Sequence, residues 1–265
     1  MPGRVRVETA APGVTTVTLD RPDRLNALDV DLVEELHRVL DEVAADRDCR
    51  VVVLTGAGRG FCSGLDLRDE RHPMGDEGPA AQLRSQRRTA GLVPRLRALP
   101  QPVVAAVNGP ASGGGLALAL GCDVRLAAAS ARFDVAFVRV GLSGGDMGVS
   151  WLLPRLIGAS RAWELMLTGR AVDAAEAAAI GLVLRVVPDD DLRGEALALA
   201  GQIAANSPLG VALTKEVLWA ALEVGSLQAG IDLENRTQAL ATFGDDVAEA
   251  AAAFRERRAP RFTGR

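Results

Sequence analysis

The segment spanning residues 103–124 constrains the fold of this chain more than any other. It starts with an apolar, β-rich run that ends at Val107, crosses an Asn-Gly-Pro turn and three consecutive glycines (Gly113 to Gly115), and continues as an Ala/Leu-rich run from Leu116 to Leu120. This order predicts a strand, a loop and a helix. Glycines at a helix start leave backbone N–H groups unshielded at the positive end of the helix dipole. The segment therefore indicates either a site for a ligand atom that carries or develops negative charge, or a helix packed tightly against a strand.

The composition is that of a folded globular chain. Hydrophobic residues make up 48% and charged residues 24% of the 265 positions, enough for a full core and unlike a disordered chain. No window approaches the ~18 consecutive apolar residues of a transmembrane helix. The N-terminal sequence MPGRVRVETA lacks the apolar core of a secretory signal, so we expect a cytoplasmic protein with no membrane partner. A net charge of −4 argues against a nucleic-acid partner.

Cysteine and histidine are too few for most metal sites or nucleophilic triads. The three cysteines, Cys49, Cys62 and Cys122, are odd in number and lack C-x-x-C spacing, which argues against disulfides and a zinc site. Of the two histidines, His37 falls in a helical pattern and His72 in a polar loop. The sequence therefore predicts no metal site and offers little material for a Ser-His-Asp triad.

Periodicity predicts the elements that precede this segment. Alternating residues predict a hairpin, an amphipathic stripe predicts a helix that begins at Asp29, and a continuous apolar run predicts a buried strand. Charged residues broken by Pro and Gly predict a mobile loop, followed by an arginine-rich helix whose basic residues are typical of a solvated face. The hairpin strands cover residues 5–7 and 14–19, the amphipathic helix 29–43 and the buried strand 50–55. The loop covers 69–79 and the arginine-rich helix 80–98.

A second glycine-rich turn, residues 56–67, follows the buried strand. A dinucleotide-binding turn would need glycine at its sixth position, which counted from Gly56 is Phe61. A phosphate-binding P-loop would need Gly-Lys-Ser/Thr, which is also missing. The turn therefore matches neither of the common phosphate-binding patterns.

A third glycine-rich loop, residues 140–146, precedes a helical pattern over 147–156. It ends at Asp146, whose carboxylate could serve as a helix N-cap or as a chemical group in a site. Two short strands are predicted before this loop, over 125–128 and 131–138.

Mostly helical patterns follow from residue 160, with one short strand over 182–187. Strand–helix alternation in the first two thirds predicts one α/β domain, with a mixed sheet layered by helices and a helical C-terminal extension. The predicted helices after the third loop cover 162–167, 173–179, 192–205, 209–223, 227–241 and 245–257.

Taken together, these motifs resemble the enoyl-CoA hydratase/isomerase family, the crotonase superfamily. The resemblance covers residues 5–187 well and the C-terminal helices more loosely, and its five collinear motifs make it specific. The similar pieces are Arg24-Leu25-Asn26-Ala27-Leu28, residues 53–56 with 61–67, residues 102–123, residues 133–158, and residues 167–170 with 178–187.

This resemblance implies an α/β fold of the crotonase type, a ββα superhelix with a helical C-terminal region. The core with the acyl-CoA site is expected over residues 1–190 and a helical trimerisation region over 191–265. A homotrimer or a dimer of trimers is implied, together with a coenzyme A thioester as the substrate and no tightly bound cofactor. Family members hold the thioester oxygen, as it becomes an enolate oxyanion, with two backbone N–H groups. By position these belong to Leu65, which follows the Gly64 turn, and to Gly114.

The acid/base residues of the family are where this sequence departs from the pattern. Hydratases of the family use two glutamates, and the corresponding positions here are Ala117 and Phe137. Neither side chain can transfer a proton, so the two-glutamate hydration mechanism is not available in its usual form. Asp146 falls where similar isomerases and a dehalogenase place a catalytic aspartate, although its spacing from Gly141 is one residue longer and requires a bulged loop.

Asp146, Leu65 and Gly114 are thus the predicted catalytic residues. Asp134 and Ser143 are weaker candidates, whereas Glu164 is expected to be structural. The resemblance also implies a set of residues in contact with coenzyme A, some of them on a neighbouring subunit, and arginine suits its phosphates because of its bidentate geometry. This set is Arg24, Ala27, Arg59, Ser63, Leu65, Asp66, Leu67, Gly113, Lys215, Phe254 and Arg257.

The sequence therefore predicts an enzyme of acyl-CoA thioesters that stabilises an enolate in a backbone oxyanion hole. Hydration or double-bond isomerisation of an enoyl-CoA is expected, and isomerisation suits a single carboxylate better. Thioester hydrolysis or decarboxylation, and a catalytically silent acyl-CoA-binding scaffold subunit, are the alternatives.

Overall fold

The computed structural model describes residues 3–72 and 77–264, and it builds two sheets from nine strands. The larger sheet has the order β1-β2-β3-β4-β6-β9, in which β1 pairs antiparallel with β2 and the other neighbours run parallel. Its strands are β1 (Val5–Ala11), β2 (Val14–Leu19), β3 (Val51–Gly56), β4 (Val103–Val107), β6 (Val124–Ala128) and β9 (Arg185–Val187). A smaller sheet contains β5 (Pro110–Ser112), β7 (Arg132–Asp134) and β8 (Ala171–Asp173), in the order β5-β7-β8.

Eleven α-helices in the described residues cover these sheets and extend beyond them. In chain order they are α1 (Val30–Ala45), α2 (Pro79–Ala90), α3 (Leu92–Ala98), α4 (Gly114–Gly121), α5 (Val149–Ile157), α6 (Ala159–Thr168), α7 (Ala174–Ala179), α8 (Leu192–Ala204), α9 (Pro208–Ala221), α10 (Leu227–Ala241) and α11 (Asp245–Glu256). No single helix in the described ranges is long and apolar enough to cross a membrane. One pair of helices, Asp189–Ala204 and Pro208–Ala221, passes the same test of length and composition together, but the two helices are bent by 106° relative to each other.

The central strands β3 and β4 of the larger sheet are buried on both faces, which explains why they read as continuous apolar runs. Alternate residues of β3 point to opposite faces: Val52 and Leu54 pack in the cluster that contains α1, α3 and α4. Val51 and Val53 pack against α8 through alanines such as Ala196 and Ala200. The apolar faces of the helices thus enclose the parallel strands, as the sequence predicts.

Two predicted elements differ from the structure. The helix predicted over 80–98 is two helices that meet at Gly91, because Pro94 has no N–H to continue α2 and its ring would clash with the carbonyl of Ala90. The strand predicted over 131–138 ends at Asp134, and a 3₁₀ helix follows over Ala136–Val140. Of the loop predicted over 69–79, residues 73–76 lie outside the described part of the chain.

The strands β2, β3 and β4 run parallel, so their carboxyl ends lie at one edge of the sheet. Two buried asparagine-mediated contacts join the loops that leave this edge. Asn26 is fully buried and donates to the carbonyl oxygens of Ala57 (3.0 Å) and Gly60 (2.8 Å). Asn108 accepts a hydrogen bond from the N–H of Gly56 at 3.1 Å. The loops after the three strands therefore form one connected surface.

Candidate active site

The segment 62–65 is held on both sides by backbone pairing at this sheet edge. Leu28 donates its N–H to the carbonyl of Gly64 (2.7 Å), and Leu28 and Leu65 form a parallel bridge. On the other side Ser112 donates to the carbonyl of Cys62 (3.0 Å). Because a trans peptide directs its C=O and N–H to opposite sides, the N–H of Leu65 points away from Leu28, toward the side where the glycine triplet lies.

Glycine is required where the two predicted donor turns meet. Gly64 has φ +90°, and a Cβ there would lie 2.8 Å from the carbonyl oxygen of Ser112 and 3.3 Å from the amide nitrogen of Gly114. A Cβ at Gly115 would lie 1.9 Å from the carbonyl oxygen of Cys62, an impossible distance. The glycines therefore permit close backbone approach, and the approach brings the Gly64–Leu65 peptide beside the start of α4.

The N–H groups of Leu65 and Gly114 donate no hydrogen bond to any acceptor within the described ranges. Gly114 is the first residue of α4, where an N–H has no intrahelical acceptor and lies at the positive end of the helix dipole. Two unpaired donors from distant parts of the chain thus lie at one place, beside the side chains of Leu28 and Met147. This arrangement suits an oxygen atom that gains negative charge.

The two positions that carry glutamate in similar hydratases are apolar and buried. Ala117 lies in the second turn of α4 and is fully enclosed. The Phe137 ring packs next to the glycine triplet, with Cε1 3.4 Å from the position a Cβ would take on Gly113. Apolar surface therefore replaces two proton-transferring groups at this wall of the site.

Asp146 lies in the loop before α5, directly ahead of a residue that contacts the start of α4. Its neighbour Met147 has φ +47° and places its Sδ 3.2 Å from the Cβ position of Gly114. Asp146 Oδ1 accepts hydrogen bonds from the N–H of Met147 (2.7 Å) and from the side-chain amide of Gln86. The N-cap of α5 is Gly148, so the carboxylate is not the helix cap that the sequence allowed as an alternative.

Burial raises the pKa of Asp146 above the ordinary value of an aspartate, while the hydrogen bonds from Met147 and Gln86 oppose the rise. A half-buried carboxyl with a raised pKa is better suited to accept a proton near neutral pH than a fully solvated one.

Asp134, Glu164 and Ser143 are bound to neighbouring groups. Asp134 accepts from the hydroxyl of Ser112 (2.6 Å) and from Arg139 (3.0 Å), which joins β5 to β7. Glu164 pairs with Arg170 on the surface. The hydroxyl of Ser143 accepts from the N–H of Gly145 within its own loop (3.2 Å). These contacts occupy polar atoms of all three side chains within the protein.

Six of the residues predicted to contact coenzyme A lie in these turns. Ser63 donates its hydroxyl to the carbonyl of Arg24 (3.3 Å), and the side chains of Arg24, Arg59 and Leu67 are exposed beside it. Ala27 is buried in the same turn. Gly113, which begins the glycine triplet, donates its own N–H to the carbonyl of Asp134 at 3.0 Å.

A buried arginine that the sequence analysis did not single out holds this turn in place. Arg21 donates to the carbonyl of Ala27 (2.5 Å) and lies 2.9 Å from Asp66 and 3.2 Å from Asp29. The side chain of Asp66 is therefore bound inside the protein, and its predicted contact with coenzyme A can come only from its backbone. An arginine directly after a strand end, next to Pro22, was the available signal.

Three predicted coenzyme A contacts lie elsewhere in this chain. Lys215, 5% exposed, binds Asp123 (2.8 Å) and the carbonyls of Leu96 (3.0 Å) and Gln101 (2.9 Å), so its ammonium has no donor left for a phosphate. We therefore remove Lys215 from the predicted set.

The other two, Phe254 and Arg257, are exposed at the end of α11, and the tail that follows this helix is anchored at the opposite sheet edge. There Arg50 donates to the carbonyl of Phe262 at 2.8 Å. In this chain the contact of Arg50 holds the tail after α11 at the edge opposite to the glycine turns. A role in coenzyme A binding would therefore fall on the site of a neighbouring copy.

Within residues 3–72 and 77–264, no cluster of three or more His, Cys, Asp or Glu side chains could hold a metal ion. The sequence did not point to three side chains that make contacts here: the buried Asn26, the partly buried Asn108 and the exposed Gln86. An asparagine directly after a strand end was a usable signal for Asn108, whereas nothing in the sequence links Gln86 to Asp146.

Comparison with known proteins gives the family of this fold and site. The family model described as enoyl-CoA hydratase/isomerase matches residues 9–265. The chain belongs to this family. It is 46% identical to "Probable enoyl-CoA hydratase echA12" of Mycobacterium bovis, over 98% of this chain and 92% of that protein. It is 41% identical to "1,2-epoxyphenylacetyl-CoA isomerase" of Escherichia coli K12, over 96% of each chain.

A crystal structure of an enoyl-CoA hydratase from Bacillus anthracis superposes on it with a TM-score of 0.93. That protein is 38% identical, and the match covers 99% of this chain and 100% of the other. The predicted crotonase-type α/β fold with a helical C-terminal region is thereby confirmed, and so is an enzyme of the hydratase/isomerase type. Members of the enoyl-CoA hydratase/isomerase family act on coenzyme A thioesters without a tightly bound cofactor.

Proposed function

We propose that this enzyme moves a double bond within an enoyl-CoA by way of a thioester enolate. The thioester oxygen binds between the N–H groups of Leu65 and Gly114, and Asp146 carries the proton. The observation that supports the proposal is the close approach of the two turns that carry these unpaired backbone donors, beside the loop that contains Asp146. Apolar residues occupy the two positions where similar hydratases have glutamates.

The oxyanion site lowers the cost of forming the enolate. When a proton leaves the α carbon, the electron pair moves into the thioester and the negative charge concentrates on its oxygen. A preorganised donor aimed at such charge is typically worth about 3–4 kcal/mol of barrier. Because both donors belong to the backbone and are fixed by glycine turns, they need no rearrangement when the charge develops.

The single carboxylate fits isomerisation because the proton that leaves one carbon returns to another. Asp146 removes a proton from the α carbon of a 3-enoyl-CoA, which gives a dienolate and a neutral carboxyl. The same carboxyl then delivers the proton to the γ carbon as the thioester C=O re-forms, so the double bond moves to the α,β position and atoms and charge balance. One group whose pKa is raised toward neutrality can perform both steps.

The nucleotide end of the substrate is placed over the exposed arginines of the first two turns. Arg24 and Arg59 flank Ser63 and Leu67 at the sheet edge from which the oxyanion donors also emerge. Guanidinium groups suit the phosphates of coenzyme A because they form two parallel hydrogen bonds.

Hydration is the second candidate, supported by the relatives named as enoyl-CoA hydratases. In that reaction Asp146 would activate a water molecule for attack on the β carbon of a 2-enoyl-CoA. A catalytically silent scaffold that binds acyl-CoA is a third candidate, suggested by Ala117 and Phe137.

One experiment separates the three. The purified protein and its Asp146→Asn variant are incubated with 2-enoyl- and 3-enoyl-CoA of several chain lengths, and the products are analysed by mass spectrometry and NMR. Isomerisation leaves the mass unchanged and moves the olefinic signals, whereas hydration adds one water. We expect isomerisation by the wild type and a loss of about 10²–10⁴-fold in kcat for Asp146→Asn.

Glu164→Gln is the matched control, because it neutralises a surface carboxylate that pairs with Arg170 away from the glycine turns. It should keep wild-type kcat. Tight binding without turnover of any substrate would contradict the enzymatic proposal, and an Asp146→Asn variant within about 10-fold of wild type would exclude Asp146 from proton transfer.

The C-terminal helices 191–265 form the trimerisation region in this proposal, and the protein acts as a cytoplasmic homotrimer or dimer of trimers. Large apolar side chains there are strongly exposed in the single chain, among them Leu227 (81%), Phe243 (87%) and Phe254 (86%). Exposed apolar groups in such numbers favour contact with another protein surface. Light scattering at several protein concentrations tests the assembly, and a monomer at all of them would contradict it.

A further inference from the structure

A side-chain contact links α2 to the loop that carries Asp146. Gln86, in the second half of α2, donates from Nε2 to Oδ1 of Asp146, 60 residues further along the chain. The backbone N–H of Met147 donates to the same oxygen at 2.7 Å. Two donors of different origin therefore hold one of the two carboxylate oxygens.

The second oxygen of Asp146, Oδ2, accepts no hydrogen bond from any residue that the structure describes. A carboxylate fixed through one oxygen has a defined orientation about its last bond, and its other oxygen keeps its full capacity to accept a proton. A general base requires both properties: one oxygen fixes the orientation of the carboxylate, and the other accepts the proton.

The helix that carries Gln86 is itself fixed to α1. Arg88 pairs with Glu34 at 2.6 Å, and the ring of His37 contacts the carbonyl of Arg88 at 2.9 Å. Thr89 is buried beside these contacts. The amide of Gln86 is thus presented from an anchored backbone, although its own side chain is exposed.

The surroundings of Asp146 contain no second charge that could perform the same task. Burial, the Met147 amide and the Gln86 amide set its pKa, and no charged side chain among the described residues contributes. The arginines on the elements around it form no salt bridge with Asp146, namely Arg84, Arg87 and Arg88 on α2, Arg97 on α3, and Arg155 on α5. The neutral amide of Gln86 is therefore the side chain through which this carboxylate can be tuned.

We propose that Gln86 is the positioning residue of the acid/base group: its amide orients Asp146 through Oδ1 and stabilises the ionised, proton-accepting form, leaving Oδ2 to take the proton from the substrate. The assignment rests on the proposed role of Asp146 in isomerisation. It adds a residue from a separate helix to the site and makes the basicity of Asp146 adjustable from α2.

A four-member series at position 86 tests this. The acidic limb of kcat/KM against pH is measured on the best enoyl-CoA substrate for wild type and for Gln86→Lys, Gln86→Met and Gln86→Glu. Met keeps the length of the side chain but removes the hydrogen-bond donor. The ionised form of Asp146 then loses a hydrogen bond, so kcat/KM should fall about 10-fold and the acidic limb should move to higher pH. Glu should move it further up by like-charge repulsion, and Lys should move it below wild type.

The midpoint pH of the acidic limb should therefore rise in the order Lys, Gln, Met and Glu at position 86. A residue with only a structural role would lower activity without this order. Arg84→Gln serves as the control, because it changes the charge of α2 by the same amount as Gln86→Glu while leaving the contact with Asp146 intact, and its pH profile should match wild type. The Lys and Glu variants keep a polar group at an exposed position, so the order remains measurable even if the Met variant unfolds.

Two failures can be told apart. An inactive Asp146→Asn variant together with an unmoved limb across the series would overturn the assignment of Gln86 and leave the proposed function standing. An active Asp146→Asn variant would overturn both.

Discussion

Gly64 and Gly114 approach each other so closely that a Cβ on the first would lie 3.3 Å from the amide nitrogen of the second. The same Cβ would lie 2.8 Å from the carbonyl oxygen of Ser112. The backbone of two distant turns thus leaves no room for a side chain between them. This close approach is the property from which the first prediction follows.

Gly64→Ala should lower kcat by at least about 10²-fold, because the new methyl group forces the two donor turns apart. Gly158→Ala is the matched control: its φ of +83° is nearly the same, but no atom lies within 4 Å of its Cβ position. Both variants bear the strain of a non-glycine residue at positive φ, about 1–3 kcal/mol in the free energy of unfolding. Steady-state kinetics and urea denaturation of both proteins separate strain from catalysis; equal kcat values would contradict the proposed oxyanion site.

Replacing the exposed arginines of the first two turns should weaken binding of the nucleotide and spare the chemistry. We expect Arg24→Met and Arg59→Met each to raise KM for an enoyl-CoA about 10-fold with little change in kcat, because each removes a charge-assisted hydrogen bond to phosphate. The same acyl group on N-acetylcysteamine lacks the phosphates, so its kinetics should not respond. Arg38→Met, which removes an exposed arginine paired with Glu42 on α1, provides the control.

Lys215 should prove to be a stability residue. Lys215→Met leaves the carboxylate of Asp123 without its buried counter-ion, and the free energy of unfolding should fall by about 3–5 kcal/mol. KM for coenzyme A thioesters should stay within about twofold of wild type, because the ammonium has no free donor to offer a phosphate. A large rise in KM without loss of stability would restore the role that the sequence suggested.

Acid should weaken the attachment of the turn at residues 66–72 to α1. Asp69 accepts a hydrogen bond from the N–H of Val30 (3.0 Å) and pairs with Arg71 (2.9 Å), and these contacts hold the pKa of its carboxyl well below the ordinary 3.8. In the folded state Asp69 therefore binds fewer protons than in the unfolded state when the pH falls below about 4–5, and its stabilising effect is lost as the pH drops.

The Asp69→Asn variant cannot titrate at this position and reveals the effect by difference. Its free energy of unfolding, measured by urea denaturation, should lie below wild type at pH 7 and approach wild type at acidic pH. A difference between the two proteins that does not change with pH would show that the charge of Asp69 does not stabilise this turn.

Most of the secondary structure could be predicted because strong periodicity and capping residues define it locally. The strand Val103–Val107 and the helix Leu227–Ala241 have the predicted bounds. Asp29 and Asp173 are N-caps whose side chains accept from the third residue beyond them. The prediction of a strand over 131–138 was wrong because this apolar run is compatible with both strand and helix. The 3₁₀ helix that replaces the end of the strand packs Phe137 against the glycine triplet.

Part of the site could also be predicted from the sequence and part could not. The glycine turns could be predicted, because only glycine tolerates the close approach at Gly64 and Gly115. The destination of a long cationic side chain is not encoded locally, which is why Lys215 was misplaced and Arg21 was missed. The contact between Gln86 and Asp146 joins residues far apart in the chain and has no sequence pattern at all.

The burial of Lys215 has a chemical consequence for a protein that handles activated acyl groups. It is the single lysine of the chain, and Asp123 and two carbonyl oxygens enclose its ammonium. Lysine ε-amines are the usual targets of acylation on protein surfaces. Every other basic side chain here is a guanidinium or an imidazole, so the surface offers a thioester ligand no ε-amine to attack it, and the protein is protected by composition against acylation by its own substrates.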